Sequence, residues 1–178
     1  MKIIETERLI LRTWKDNDAD EFYRINQDPS VIEFLLGPLT LQEVKDFIAS
    51  VNQQFDKTGY TLFAVEEKSS GKLIGFIGLS SPTWESHFTP CVEIGWRLGS
   101  EFWNKGYATE GAKAVLKYGF ETVGLKEIVS FTVPANVRSI RVMERIGMVR
   151  DTRDDFLHPK LSPEHMLSQH ILYRIKRP

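Results

Sequence analysis

The chain is poor in cysteine, in net charge and in long apolar runs, and each shortage narrows what it can be. One cysteine, Cys91, among 178 residues rules out a disulfide within the chain and fits a reducing compartment. Lysine and arginine number 23 against 24 aspartates and glutamates, a net charge of −1. That balance carries no basic excess for a nucleic-acid groove. The charges are mixed along the chain, with no basic arm or acidic tail. No segment approaches the ~18 uninterrupted apolar residues of a spanning helix, and Met1 to Arg8 contains no apolar signal core. His87, His158, His165 and His170 match no zinc spacing. Neither G-x-G-x-x-G nor G-x-x-x-x-G-K-[ST] occurs, so both common phosphate loops are missing and a nucleotide-binding fold is a weak alternative. The expectation is a cytoplasmic protein with no metal, no nucleic acid and no membrane partner.

What is present is a 42% hydrophobic chain of one-domain length, patterned as mixed α/β over residues 1–178. Arg8 to Trp14 reads as a strand. Asp16-Asn17-Asp18 offers cap chemistry for a helix of about ten residues, stopped at Asp28-Pro29. Thr40 with Glu43 forms a capping box for a second helix, and Val44, Phe47, Ile48, Val51 and Phe55 recur at helical spacing up to Gly59. Tyr60–Val65 and Leu73–Leu79 form an antiparallel hairpin around Ser69-Ser70-Gly71-Lys72. Val92 to Leu98 alternates, with Val92, Ile94, Trp96 and Leu98 on one face and Glu93, Gly95 and Arg97 on the other. A helix of about sixteen residues starts at Tyr107, and Glu127–Val133 is a further strand, making a βαβ unit with a locally parallel pair. A shorter helix spans Asn136 to Arg145, with Gly147 as its αL cap. Strands are expected near Met148–Arg150 and His170–Ile175.

The turn Trp103-Asn104-Lys105-Gly106-Tyr107-Ala108-Thr109 leads into the long helix, whose free N–H groups and partial positive charge suit a phosphate. Gly106 permits close approach, Ala108 does not obstruct it, and Lys105 adds a cation. Alone, the turn is equally one in which glycine serves only the backbone. Its surroundings carry more. The runs Val92–Leu98, Phe102–Glu110 and Asn136–Met148 closely resemble the GNAT acetyltransferase superfamily. The nearest branch is that of the ribosomal-protein N-terminal acetyltransferases, whose first strand Glu7–Arg12 also resembles.

That resemblance implies a GNAT-like fold: six or seven strands in a mixed sheet splayed between its fourth and fifth, about four helices, and acetyl-CoA in the cleft as acetyl donor. Main chain at Trp96, Arg97 and Leu98 would pair with the pantetheine arm. The amides of Asn104, Lys105, Gly106, Tyr107, Ala108 and Thr109 would hold the pyrophosphate. Asn136 matches a family asparagine that contacts pantetheine, and Ser139 a position near the thioester sulfur. Where many members carry a tyrosine that protonates the departing thiolate, this chain has Met143, leaving the role to Ser139, to water, or to no group.

The activity implied is acetyl transfer to a primary amine, of a small molecule or a protein N-terminus, by direct attack in a ternary complex. The alternative is a silent module that binds CoA, a metabolite or a partner. Such a reaction needs a base for the amine and a donor for the oxyanion, here main-chain N–H groups of the fourth strand. Glu93, a charge within an apolar strand, is the candidate base; pairing with Arg97 would be its structural explanation. Cys91 could share its face and act as a nucleophile, though a lone cysteine is more often a small buried hydrophobe. Trp84 and His158 are candidates for the acceptor pocket, and each could instead be a loop or surface residue. Lys105, ahead of Arg141, is placed near the CoA phosphates. A monomer or a homodimer is compatible with the fold.

Overall fold

A computed structural model describes all of residues 1–178. Nine strands and five α-helices follow the chain as β1 (Lys2–Glu5), β2 (Leu9–Arg12), α1 (Ala19–Ile25), α2 (Pro29–Ile32), α3 (Leu41–Thr58), β3 (Leu62–Glu67), β4 (Leu73–Ser80), β5 (Glu93–Leu98), α4 (Tyr107–Glu121), β6 (Glu127–Thr132), α5 (Val137–Arg145), β7 (Val149–Arg150), β8 (Phe156–Leu157) and β9 (Gln169–Lys176). The sheet runs β1-β2-β3-β4-β5-β6-β9-β7, with β8 paired to β9. β1 to β5 are antiparallel neighbours, β5 and β6 are parallel, and β9 lies antiparallel to β6. The mixed sheet is the one the sequence predicts, with β1 added before it and the two-residue β8 added near its end. The fourth and fifth strands of that expectation are thus β5 and β6.

Local chemistry explains most boundaries. Thr40 accepts from the Glu43 N–H and Glu43 returns a bond to the Thr40 N–H, closing the capping box of α3. The expected ten-residue first helix is shorter, because α1 ends at Ile25 and Asp28 caps a separate helix that begins at Pro29. Ile128, Ala112, Val115 and Leu116 belong to a core on the face of the sheet covered by α4 and α5. Trp14, Phe22, Val44, Ile48 and Phe76 fill the opposite face, under α1 and α3. Each buried Val, Leu, Ile or Phe side chain among them contributes about 1.5–3 kcal/mol by leaving water.

One backbone feature positions the cleft. β5 pairs with β4 through six register positions, Gly75↔Leu98 to Ser80↔Glu93. With β6 it shares only Glu93↔Val129. Beyond that point Ser130 Oγ donates to the Ile94 carbonyl at 2.9 Å, and from Gly95 onward the edge facing β6 has no strand partner. The sheet therefore opens between these two parallel strands, and a polar backbone edge lines the opening.

Candidate active site

The opening leads into a cavity of 530 Å³. Its walls come from β5, the turn before α4, the start of α5, the end of β6 and the α2 region. Glu93, Trp96, Arg97, Leu98, Asn104, Gly106, Tyr107, Ala108, Thr109, Asn136 and Ser139 all line it, so eleven of the residues singled out from sequence converge on one space.

The turn adopts the geometry an anion needs. Asn104 has φ +60° and Gly106 φ +81°, both left-handed. No side chain caps α4, and its first helical bond runs from the Glu110 N–H to the Gly106 carbonyl. The N–H groups of the first turn are left without helical acceptors. Glu110 would repel a phosphate there, but its carboxylate is held by Thr6 Oγ1 at 2.6 Å and by the Arg8 guanidinium at 2.6 Å. Arg8 also donates to the Lys105 carbonyl at 2.9 Å and lies over the Tyr107 ring, clamping the turn to the start of β2. Reading along the sequence does not reveal this clamp, because Arg8 and Glu110 are 102 positions apart. Trp103 Nε1 donates to the Leu98 carbonyl at 2.9 Å and fixes the end of β5 to the same turn.

Lys105 is not in the cavity wall; its ammonium lies 5.2 Å from the Phe102 ring centroid. Arg141 does line the wall, so the two cations exchange the order expected for them. Asn136 caps α5 by accepting from the Ser139 N–H at 3.2 Å and gives one amide hydrogen to Thr132 Oγ1. Ser139 Oγ accepts from Trp96 Nε1 at 3.3 Å, which leaves the hydroxyl proton free to donate. Met143 is fully buried beside it and offers no proton.

Glu93 stands at the narrow end of the opening. Burial raises its pKa to about 8, a hydrogen bond with the Ser80 hydroxyl opposing part of the effect. It forms no ion pair. The pairing with Arg97 that would have explained it structurally is not made: Arg97 Nη1 donates to the Asn26 side-chain oxygen at 2.5 Å, and the guanidinium lies 5.5 Å from the Phe76 ring centroid. Burial lowers the Arg97 pKa to about 10, so it stays a cation at neutral pH. Burial, with Glu93 nearby, pushes the Cys91 thiol up to about 11. Cys91 lies outside the cavity wall and packs against an aromatic cluster, which favours the hydrophobe over the nucleophile.

Trp84 and His158 are also placed differently from the expectation of a direct role. Neither lines the cavity. Their rings are 5.0 Å apart in a cluster with Phe88, Phe131 and Phe156, and the His158 ring lies tilted 5.1 Å from that of His170. Phe131 and His170 form the wall, and Trp84 and His158 back them. Desolvation lowers the pKa of both His158 and His170, which keeps the pair neutral near pH 7. His170, whose Nδ1 lies 3.1 Å from the Ser168 carbonyl, was not separated from the other histidines by sequence. No group of three His, Cys, Asp or Glu is arranged to hold a metal ion.

A family model described as an acetyltransferase (GNAT) domain matches residues 8–149. The uncharacterized N-acetyltransferase YnaD of Bacillus subtilis is 32% identical over 149 residues, covering 83% of each chain. The crystal structure of a GNAT-family acetyltransferase from Bacillus anthracis superposes with a TM-score of 0.77 at 30% identity over 97% of both chains. An acetyltransferase from Agrobacterium tumefaciens gives a TM-score of 0.79 at 26% identity, covering 99% of this chain and 95% of that one.

Proposed function

The chain belongs to the GNAT acetyltransferase family, and from that premise we propose that it moves the acetyl group of acetyl-CoA to a primary amine by direct attack in a ternary complex. The observation that carries this reading is Glu93: an unpaired carboxyl with a pKa of about 8, in the same cavity as an uncapped, left-handed turn.

Residues 104–109 hold the pyrophosphate through main-chain N–H groups, with Arg141 supplying charge from α5. The free edge of β5 at Trp96, Arg97 and Leu98 pairs with the pantetheine amides as an added strand would. The Glu93 carboxylate removes the amine proton, directly or through one water. The nitrogen then attacks the thioester carbon, and unpaired N–H groups of β5 receive the developing oxyanion. Collapse of the tetrahedral intermediate expels the CoA thiolate. Ser139, its oxygen already accepting from Trp96, donates its hydroxyl hydrogen bond to that sulfur in place of the acid Met143 cannot be. Direct attack is favoured over an acetyl-cysteine because Cys91 stays a thiol at neutral pH. The Glu7–Arg12 strand, which resembles the first strand of the ribosomal-protein N-terminal acetyltransferases, supports a reading within that branch.

In a thiol-release assay with amines and peptide N-termini, Glu93→Gln lowers kcat by about 10²–10⁴-fold with acetyl-CoA affinity retained. Undiminished turnover removes Glu93 from the base role. Met143 favours one second reading, a CoA-binding module without turnover. Tight CoA binding in calorimetry with no acetylation across the same panel establishes that reading instead.

A further inference from the structure

The charges in the cavity wall are lopsided. Glu93 is the one carboxyl residue there, against Arg97, Arg138, Arg141 and Arg145. Arg138 is accounted for: it pairs with Glu33 at 2.6 Å and lies over the Trp103 ring. Arg141 and Arg145 project from α5, which builds the donor side. Arg97 is different. It shares the face of β5 with Glu93, four residues away and so about 13 Å along the strand, and no carboxylate lies within ion-pair distance of it.

Of the Arg97 nitrogens, Nη1 alone has a hydrogen-bond partner, the Asn26 oxygen. Yet no buried side-chain nitrogen or oxygen in the protein lacks a partner. The remaining Arg97 donors therefore keep accessible surface, and the space their residue borders is the cavity. Phe76 and Asn26 hold the guanidinium from the side, leaving its other edge as a fork of N–H groups. A partly buried cation without a counter-charge is costly, and an anionic ligand group relieves that cost through charge-assisted bonds. The same cavity wall carries the apolar side chains Val31, Phe34, Leu35, Phe76 and Phe131.

We propose that the acceptor carries, besides its amine, a carboxylate or phosphate that the Arg97 guanidinium binds, with an apolar or extended segment between the two groups. This rests on the acetyl-transfer reading above. It disfavours polyamines, which would bring several cations to a wall with one carboxyl and an unpaired arginine.

Two matched pairs of acceptors test it by initial rates: L-phenylalanylglycine against its C-terminal amide, and O-phosphoethanolamine against ethanolamine. In at least one pair the anionic member should have a kcat/KM about ten- to a hundredfold higher, the range for a charged hydrogen-bonded contact. Arg97→Met should bring that ratio close to one, and Arg97→Lys should restore part of it. Comparing ratios between variants cancels differences in amine basicity. A third arm needs no turnover: 3-phenylpropionate or inorganic phosphate should raise the melting temperature of the wild type and not that of Arg97→Met. Probe stabilisation through Arg97 with no acetylation of any amine would leave the anion site standing and remove the transfer reading. A preference for the neutral member of both pairs, or a ratio unchanged in Arg97→Met, overturns the anion site. So does loss of acetyl-CoA binding in Arg97→Met without loss of selectivity, which would assign the guanidinium to the donor. Should Arg97→Met fail to fold, the wild-type ratios and probe shifts decide alone.

Discussion

Glu93 is a carboxyl group whose charged form the surrounding protein disfavours, and two measurable consequences follow from the direction of that shift. Only the carboxylate can take a proton, so kcat/KM should rise with pH through an inflection near 8. Glu93→Gln should lose that inflection while keeping any due to the amine itself. For stability the sign is opposite. The folded pKa of about 8 lies above the ordinary carboxyl value of 4.5, so the unfolded chain releases this proton first as pH rises. Stability is lost across that interval and the loss is complete above the folded value. The melting temperature of the wild type should therefore fall relative to Glu93→Gln between pH 5 and 9, measured by calorimetry; parallel curves would show that the carboxyl is not desolvated. At this scale the sequence singled out Glu93 because a charge interrupts an apolar strand. Whether Arg97 neutralises it was undecidable there, since both side chains share a face and only packing assigned Arg97 to Asn26 and Phe76.

Among the elements, the turn before α4 was legible as a helix start with a glycine, but not as a clamped one. Its shape depends on two left-handed residues and on Arg8 reaching from just before β2. Gly106→Val should destabilise the protein by at least about 1 kcal/mol, because an L side chain is strained at that φ. Arg8→Ala should raise the KM for acetyl-CoA severalfold with a smaller effect on kcat, because it frees the Glu110 carboxylate beside the proposed pyrophosphate site and loosens the Lys105 carbonyl. An unchanged KM in steady-state kinetics would show that the clamp is only structural. The capping box of α3 and the Gly59 and Gly147 stops were readable because cap chemistry is local. Gly75 was not: a Cβ there would stand 2.0 Å from the Arg97 carbonyl oxygen, a contact set by strand pairing.

In the whole molecule, two cores on opposite faces of one sheet hold the walls of the cavity in place. A buried charge cluster ties β2 to the segment before α1 and to β3: Arg12 pairs with Asp18 at 2.7 Å and with Glu66 at 3.0 Å. Asp18→Ala leaves the arginine with Glu66 as its one carboxylate partner and should cost about 1.5–3 kcal/mol in denaturant unfolding, less than a fully stranded charge would. On the proposed reading acetyl-CoA would bridge the opened strands β5 and β6, so its binding should stabilise the fold as a unit. At a hundredfold excess over Kd the gain is about 2.7 kcal/mol, readable as a rise in melting temperature. No helix is long and apolar enough to cross a membrane.

By itself the sequence determined the order of helices and strands, the parallel βαβ crossing and the membership of the turn, because periodicity, caps and glycine act within a few residues. It also named eleven residues of the cavity wall, since family motifs keep their spacing. Only the tertiary structure decided which charges meet. It joined Arg8 to Glu110, left Glu93 without an ion-pair partner, turned Arg97 toward the cavity, and set Trp84 and His158 behind Phe131 and His170. Those outcomes depend on residues distant in sequence being desolvated together, and no local pattern encodes a desolvation cost.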